Sequence, residues 1–208
     1  MGRKTLLIMA AGSGSRYGAL KQFDELGPAK EFLFEFSIFD AIAHGFDHIV
    51  VVTREQFKED IKKYLEERLP DAVKIDVVPQ VITDLPVKPA GAIERTKPWG
   101  TAHAVWVTKK YIHNYFVVIN ADDFYGKDAF KNASEFIDKE EKNALFGVVP
   151  YTLKNTLSDF GSVARGVCNF EGPFLKDITE YMTIERKNGV LSDQQTKAVF
   201  TGDERVSM

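Results

Sequence analysis

Residues 6–22 read L-L-I-M-A-A-G-S-G-S-R-Y-G-A-L-K-Q, and the rest of the chain is read outward from them. From Thr5 to Ala10 runs a short apolar stretch, the pattern of a strand buried on both faces. It breaks into Gly12, Ser13, Gly14 and Ser15, followed by Arg16 and then Lys21. Glycine permits positive φ and lets a ligand come close to the main chain. Successive N–H groups of such a turn form a concavity that suits an anion. With two fixed cations beside it, the loop reads as a polyphosphate site. The plain alternative is a glycine-rich turn between strand and helix whose cations are merely exposed.

Two phosphate loops fail on spacing. The dinucleotide fingerprint needs G-x-G-x-x-G and an acid at the end of the second strand. Here Gly18 comes one residue late, and the strand near residue 50 ends in Thr53 and Arg54. A Walker A loop ends G-K-[ST], but Gly18 is followed by Ala19 and Leu20. A dinucleotide oxidoreductase is therefore the weakest reading.

A third pattern matches. A-A-G-S-G-S-R followed shortly by Lys21 resembles the signature loop of nucleotidyltransferases, the sugar-nucleotide pyrophosphorylase superfamily: G-x-G-[ST]-R, a few residues, then lysine. Leu20 stands where a proline often precedes that lysine. Two further stretches fall in the family's order, so the resemblance covers roughly residues 5–180. One is Gln80 followed by W-G-T-A-H-A-V at 99–105; the other is A-D-D-F-Y-G at 121–126. The resemblance implies that Ala11, Gly12, Ser13, Gly14 and Ser15 cradle the nucleotide phosphates and that Arg16 and Lys21 are the catalytic cations. It implies that Gln80 hydrogen-bonds the base edge, with Gly100 and Thr101 approaching the nucleotide closely. Asp122, supported by Asp123, would hold Mg²⁺. On the acceptor side, Gly161 (in Phe160-Gly161) and Glu180 occupy the family's sugar-binding places. Tyr181 stands where a lysine usually grips the sugar phosphate, leaving Arg165, Lys176 and Arg186 as substitutes.

The carboxylates have a physical argument of their own. Two consecutive acids at the carboxyl end of a buried strand are costly unless solvated, hydrogen-bonded or bound to a cation. Mg²⁺ held by one or two carboxylates plus phosphate oxygens is the expected partner in a polyphosphate site. Neighbouring side chains on an extended backbone point opposite ways, which favours Asp122 as the ligand and Asp123 as support. The alternative is a strand-end turn with two exposed acids. Thr101 also suits a helix N-cap, and His103 reads as a packing or hydrogen-bonding residue of that helix.

The chain has 208 residues, 44% apolar and 27% charged, enough for one well-packed domain. We read residues 1–208 as a single nucleotidyltransferase domain, with a nucleotide-binding core at 1–150 and a β-rich acceptor side at 151–208. Family members usually continue through a strand carrying a second metal-binding aspartate, so the end at Met208 reads as a C-terminal truncation with slow turnover. A net charge of −3 argues against a general nucleic-acid or anionic-membrane surface. The one cysteine, Cys168, excludes an internal disulfide and reads as a buried strand residue. No signal segment or transmembrane run is found, which gives a cytoplasmic expectation, with an oligomer allowed.

Along the chain, strands are expected at Thr5–Ala10, His48–Thr53, Lys74–Val78, Tyr115–Asn120 and Leu145–Pro150. Helices are expected at Ser37–His44, after a Thr53/Gln56 capping box, after Gly100, and at Gly126–Lys142 with Phe130, Ala133, Phe136 and Ile137 inward. Pro79–Trp99 holds four of the eight prolines and no periodicity; structureless loops of this length are usually functional or disordered. Short strands then follow from Ser158 on. The fold class is α/β: a three-layer, largely parallel Rossmann-like sheet with helices on both faces and a C-terminal β-rich acceptor-side region.

These readings converge on transfer of a nucleoside monophosphate from a nucleoside triphosphate to a phosphorylated small-molecule acceptor, a sugar 1-phosphate, releasing pyrophosphate. A cytidylyltransferase acting on a phospho-alcohol such as phosphocholine, or a non-catalytic nucleotide-binding regulatory module, remain alternatives.

Overall fold

The computed structural model describes residues 3–12, 25–87, 95–139 and 145–208. The chain divides into two compact units, Met1–Glu141 and Lys142–Met208.

The first unit is built on a four-stranded parallel sheet: β1 (Thr5–Met9), β2 (His48–Thr53), β3 (Lys74–Pro79) and β4 (Phe116–Asn120), in the order β3-β2-β1-β4. β1 pairs in parallel with β2 on one side and β4 on the other, Thr5 opposite His48 and Phe116. The helices are α1 (Leu33–Ala43), α2 (Lys58–Glu66), α3 (Thr101–Trp106) and α4 (Lys127–Lys139). Because side chains alternate along a strand, β1 divides its apolar residues between two cores. Leu7 joins Val50, Val52 and Val78 against Ala104 and Val107 of α3 and its C-terminal turn. Leu6 and Ile8 take the other face, where α1 packs on β1 and α4. Each fully buried Leu, Ile or Phe contributes about 1.5–3 kcal/mol, which is why so short a strand can organise the unit.

α1 begins at Leu33, earlier than Ser37. The aromatic run ahead of Ser37 is already helical, and Phe34, Ile38 and Ala41 form its fully buried stripe. Its start is fixed by Glu35, whose buried carboxylate accepts from the Phe32 N–H at 2.6 Å and the Tyr64 hydroxyl at 2.6 Å, with Arg68 at 3.7 Å. This ties α1 to α2. Burial first, and then the hydrogen bond to Glu35, push the Tyr64 phenol well above its ordinary value. Gly45, at φ +87°, ends the segment.

At the amino ends of the strands, His48 lies buried between Thr5 and Asp76. Nε2–H donates to the Asp76 carboxylate at 2.8 Å, and Nδ1 accepts from the Thr5 hydroxyl at 3.0 Å. Lys4 Nζ donates to Ser134 Oγ at 2.8 Å and pairs with Asp138 at 2.7 Å, pinning the start of β1 to α4.

Three local expectations are corrected. No capping box forms at Thr53: it closes β2 opposite Pro79, a 3₁₀ turn (Glu55–Phe57) intervenes, and the Thr53 hydroxyl has no hydrogen-bond partner among the described residues. In α4, Phe130, Ala133 and Ser134 face inward, while Phe136 is exposed. Residues 145–150 carry no strand. That run is interrupted by Gly147 and ends on Pro150, which has no N–H to give a ladder.

The second unit is a six-stranded antiparallel sheet of β5 (Tyr151–Thr152), β6 (Val163–Glu171), β7 (Phe174–Lys187), β8 (Val190–Asp193), β9 (Val199–Phe200) and β10 (Arg205–Ser207), ordered β5-β10-β6-β7-β8-β9. The hairpins turn at Gly172-Pro173 and at Asn188-Gly189, both of the latter at positive φ. Leu153, Ile184, Leu191 and Val206 form its core. Cys168 is buried on β6, as a strand cysteine. The buried Asp193 clasps the β8–β9 turn. Its carboxylate accepts from the N–H and hydroxyl of both Thr196 and Thr183, and these bonds, the Thr196 N–H foremost, hold it well below the usual carboxylate range.

Thus the α/β class, the parallel sheet flanked by helices and the β-rich C-terminal region are all present.

Candidate active site

In an open parallel sheet, ligands bind beyond the carboxyl ends of the strands where the order reverses. That place here is beside β1, whose neighbours β2 and β4 are reached by crossovers in opposite directions. Ala10 N–H donates to Val52 O at 2.7 Å, Ala121 N–H to Met9 O at 3.2 Å, and Gln80 N–H to Thr53 O at 2.8 Å. The segments carrying Ala11-Gly12, Arg54, Gln80 and Asp122 therefore leave the sheet side by side. Ser13, Gly14, Ser15, Arg16 and Lys21 lie outside the described residues.

Gly12 and Gly100 share an informative property. A Cβ built on either would meet no heavy atom of the described residues within 4 Å, and neither has a positive φ. At Gly12 neither a positive φ nor packing among the described residues calls for glycine, whereas at Gly100 the helix N-cap, a place that suits glycine, is one reason for it. Gly100 is the N-cap of α3, with φ −66° and ψ −172°. Thr101 is the exposed first residue of that helix, so the cap assigned to Thr101 from sequence falls one residue earlier.

Gln80 is 9% exposed and held from behind. Its Nε2 donates to Trp99 O at 2.9 Å, lies 3.4 Å from Gly100 O, and is 3.1 Å from His103 Nδ1. His103 Nε2 in turn lies 2.6 Å from Asp84 O. His103 thus bonds outside its own helix, to the proline-rich segment. That segment is not structureless in its described parts. Trp99 Nε1 donates to Ile82 O at 2.9 Å, and the Arg95 guanidinium sits over the Trp99 ring at 4.3 Å.

The two aspartates have separate surroundings. Asp123 Oδ2 accepts from Asn120 Nδ2 at 2.9 Å and lies 3.5 Å from the Tyr125 hydroxyl, which itself accepts from Asn120 N–H. Asp122 is exposed and has no hydrogen bond or ion pair among the described residues. One carboxylate is committed to the strand end and the other is open to solvent, a donor set that fits a Mg²⁺ ion held chiefly by phosphate oxygens. Such a site needs no larger ligand cluster, and none of three or more His, Cys, Asp or Glu occurs among the described residues.

Arg54 is a residue the motifs passed over. Its Nε donates to Ala11 O at 3.4 Å, placing a guanidinium against the carbonyl from which the glycine loop departs. The signal was visible as a cation at a strand's carboxyl end, but nothing in sequence shows which loop it would meet.

A family model described as nucleotidyl transferase matches residues 5–180. The chain belongs to the nucleotidyl transferase family. The match runs from the first residue of β1 into β7, so the enzyme class read from the three motifs is borne out. Two solved structures resemble this nucleotidyl transferase. The inositol-1-phosphate CTP transferase from T. maritima is 16% identical with a TM-score of 0.56, the match covering 99% of this chain and 71% of that one. A Bacillus anthracis protein described as a glucose-1-phosphate thymidylyltransferase is 17% identical with a TM-score of 0.55, covering 85% of this chain and 64% of that one. At such identities the likeness is one of fold. Among curated proteins no match is found.

The acceptor-side residues lie in the second unit. Gly161 is exposed, at φ +143°, beside a fully exposed Phe160. Glu180 is exposed on β7 opposite Gly166. Arg165 is engaged by its own unit, donating to Thr156 Oγ1 and O and to Ala164 O. Among the described residues no helix is long and apolar enough to cross a membrane.

Proposed function

We propose that the protein transfers a nucleoside monophosphate from a nucleoside triphosphate to a sugar 1-phosphate. A phosphate oxygen of the acceptor forms the new bond to the α-phosphorus. The bond from that phosphorus to the bridging oxygen breaks, and pyrophosphate leaves with the electron pair. A phosphomonoester has a second pKa near ~6, so the nucleophile is already ionised at neutral pH and needs no general base. The catalytic load is positioning and charge stabilisation.

The observation that carries this reading is an exposed Asp122, without a partner among the described residues, at the end of the strand paired with the one from which the Gly12 loop departs. Asp122 would hold Mg²⁺, with Asp123 in support; bound there, the ion would neutralise phosphate oxygens as charge moves to the leaving group. In this proposal Arg16 meets the departing pyrophosphate and Lys21 the α-phosphate, while Ala11, Gly12, Ser13, Gly14 and Ser15 line the phosphates. Gln80 reads the base edge, and Gly100 and Thr101 pack close to the nucleoside. Gly161 and Glu180 serve the acceptor.

The test is exchange of labelled pyrophosphate into nucleoside triphosphate, run over nucleotide and acceptor pairs with Mg²⁺. Exchange that requires a sugar 1-phosphate, and is lost in Lys21→Ala, is the expected result; absence of exchange with every sugar phosphate refutes it. The fold shared with an inositol-1-phosphate CTP transferase motivates a second reading, cytidylyl transfer to a phospho-alcohol. That reading requires exchange with CTP and the alcohol phosphate alone.

A further inference from the structure

The chain Asp84–His103–Gln80–Trp99 has carbonyl oxygens at both ends, and a carbonyl can only accept. From the Asp84 end, His103 Nε2 must carry the proton it donates at 2.6 Å. From the Trp99 end, the amide atom of Gln80 at 2.9 Å from Trp99 O must be the NH₂ nitrogen. Between them, His103 Nδ1 and Gln80 Nε2 are 3.1 Å apart. The amide nitrogen has a hydrogen to give, so Nδ1 is the bare acceptor and the imidazole is neutral. The two ends fix the same proton arrangement independently. His103 and Gln80 are both buried, so the arrangement is sheltered from competing water.

One consequence concerns the atom left over. The Gln80 amide hydrogens are directed at Trp99 O and His103 Nδ1, with Gly100 O a more distant acceptor at 3.4 Å. Gln80 Oε1 accepts no hydrogen bond among the described residues. An isolated glutamine offers a ligand either a donor or an acceptor by turning its amide over. Here turning it would set oxygen against the Trp99 carbonyl and abandon the bond to Nδ1.

We propose that His103 is a positioning residue that fixes the polarity of Gln80, so that this position of the site presents only an acceptor and selects a nucleobase whose ring nitrogen carries hydrogen (guanine, uracil, thymine) over one whose ring nitrogen is bare (adenine, cytosine). This rests on the reading that Gln80 meets the base. Polar readout discriminates because the wrong edge leaves a buried group unpaired. Without Nδ1 only the backbone carbonyls of Trp99 and Gly100 oppose the turn, so the reversed amide is more populated and the site discriminates between edges less sharply.

The experiment is calorimetric titration of the full chain with ATP, GTP, CTP, UTP and dTTP in Mg²⁺, taking the ratio of the tighter of the dissociation constants for ATP and CTP to the tightest among those for GTP, UTP and dTTP. Wild type, Gln80→Leu, His103→Leu and His103→Asn are compared. The expected result is a clear preference in wild type and a ratio at least about 5-fold smaller in His103→Leu, a size set by the loss of one hydrogen-bond discrimination. In His103→Asn, whose Oδ1 stands near the place of Nδ1 and can accept from Gln80, most of the ratio returns. Equal loss in His103→Asn and His103→Leu would mean that the imidazole only packs, and overturns the proposal. Selectivity intact in His103→Leu but lost in Gln80→Leu overturns the positioning role while leaving Gln80 as the base reader. Selectivity unchanged in Gln80→Leu, or equal affinity of wild type for all five nucleotides, removes the base reading itself.

Discussion

Gly100→Ala separates a glycine kept for the fold from one kept for a ligand. The backbone there, φ −66° and ψ −172°, is open to any L-residue, and the added Cβ meets nothing among the described residues. Alanine restricts the unfolded chain and so stabilises by about 0.4–1 kcal/mol. It is also a poorer N-cap than glycine, by roughly 0.5–1 kcal/mol. The two terms oppose each other, so the net change is within about 0.5 kcal/mol, a melting shift of no more than about 2 °C for a chain of this size. A nucleotide in contact with the glycine Cα, however, meets a carbon about 1.5 Å nearer. Displacement by about 1 Å weakens binding by roughly 10- to 100-fold. Both quantities can be read on one sample: a thermal melt, and a titration with nucleoside triphosphate followed by the fluorescence of Trp99 and Trp106. Unchanged affinity at an unchanged melting temperature would show that no ligand approaches Gly100, and the argument drawn from its open space would fail with it.

Asp122→Asn is expected to abolish pyrophosphate exchange without shifting the melting temperature, since the side chain has no partner among the described residues; wild-type exchange would remove it from the metal site. Glu35→Ala removes the acceptor of the Phe32 N–H at 2.6 Å, whereas the Tyr64 hydroxyl can turn to Lys30 O, already 3.0 Å away. The loss is therefore one buried hydrogen bond plus a small void, about 2–4 kcal/mol, measured by urea unfolding; Glu35→Gln, which keeps an acceptor, loses less than half of that. Stability also falls on the acid side in two steps. Burial lowers the His48 pKa below its ordinary 6.5, so the unfolded state takes up a proton first, and stability is full above about 6.5 and declines as pH falls through the window beneath it. For Asp76, burial alone would raise the pKa, but hydrogen bonds from Lys74 and His48 outweigh it and lower it below 3.8, so its contribution is lost below about pH 4. His48→Gln removes the upper step only; a profile unchanged in that variant contradicts the assignment.

Much of the fold was legible because a buried parallel strand leaves a simple trace. His48–Thr53 and Thr5–Met9 are short apolar runs whose ends are marked by turn residues, and both were placed within a residue. The helix over Leu33–Ala43 was harder: its first turn is aromatic, and burial of Phe34 together with the Glu35 hydrogen bond to the Phe32 N–H holds that turn helical against its modest propensity. Leu145–Pro150 misled for the opposite reason, since apolar composition marks the wish to be buried and not the partner that grants it. The same asymmetry runs through the site. Gln80 and Asp122 announce themselves by their place after a strand. Arg54 and His103 do not, because what matters about them is which carbonyl each one faces. Arg54 meets Ala11 across 43 residues, and His103 meets Asp84 across 19. Those contacts are written by the crossover order of the sheet and the fold-back of a proline-rich segment. A side chain's chemistry can be read from its letter, but the direction of its proton depends on a neighbour that only the folded chain supplies. That is why the position proposed to read the base, legible as a glutamine, acquires its polarity only in three dimensions.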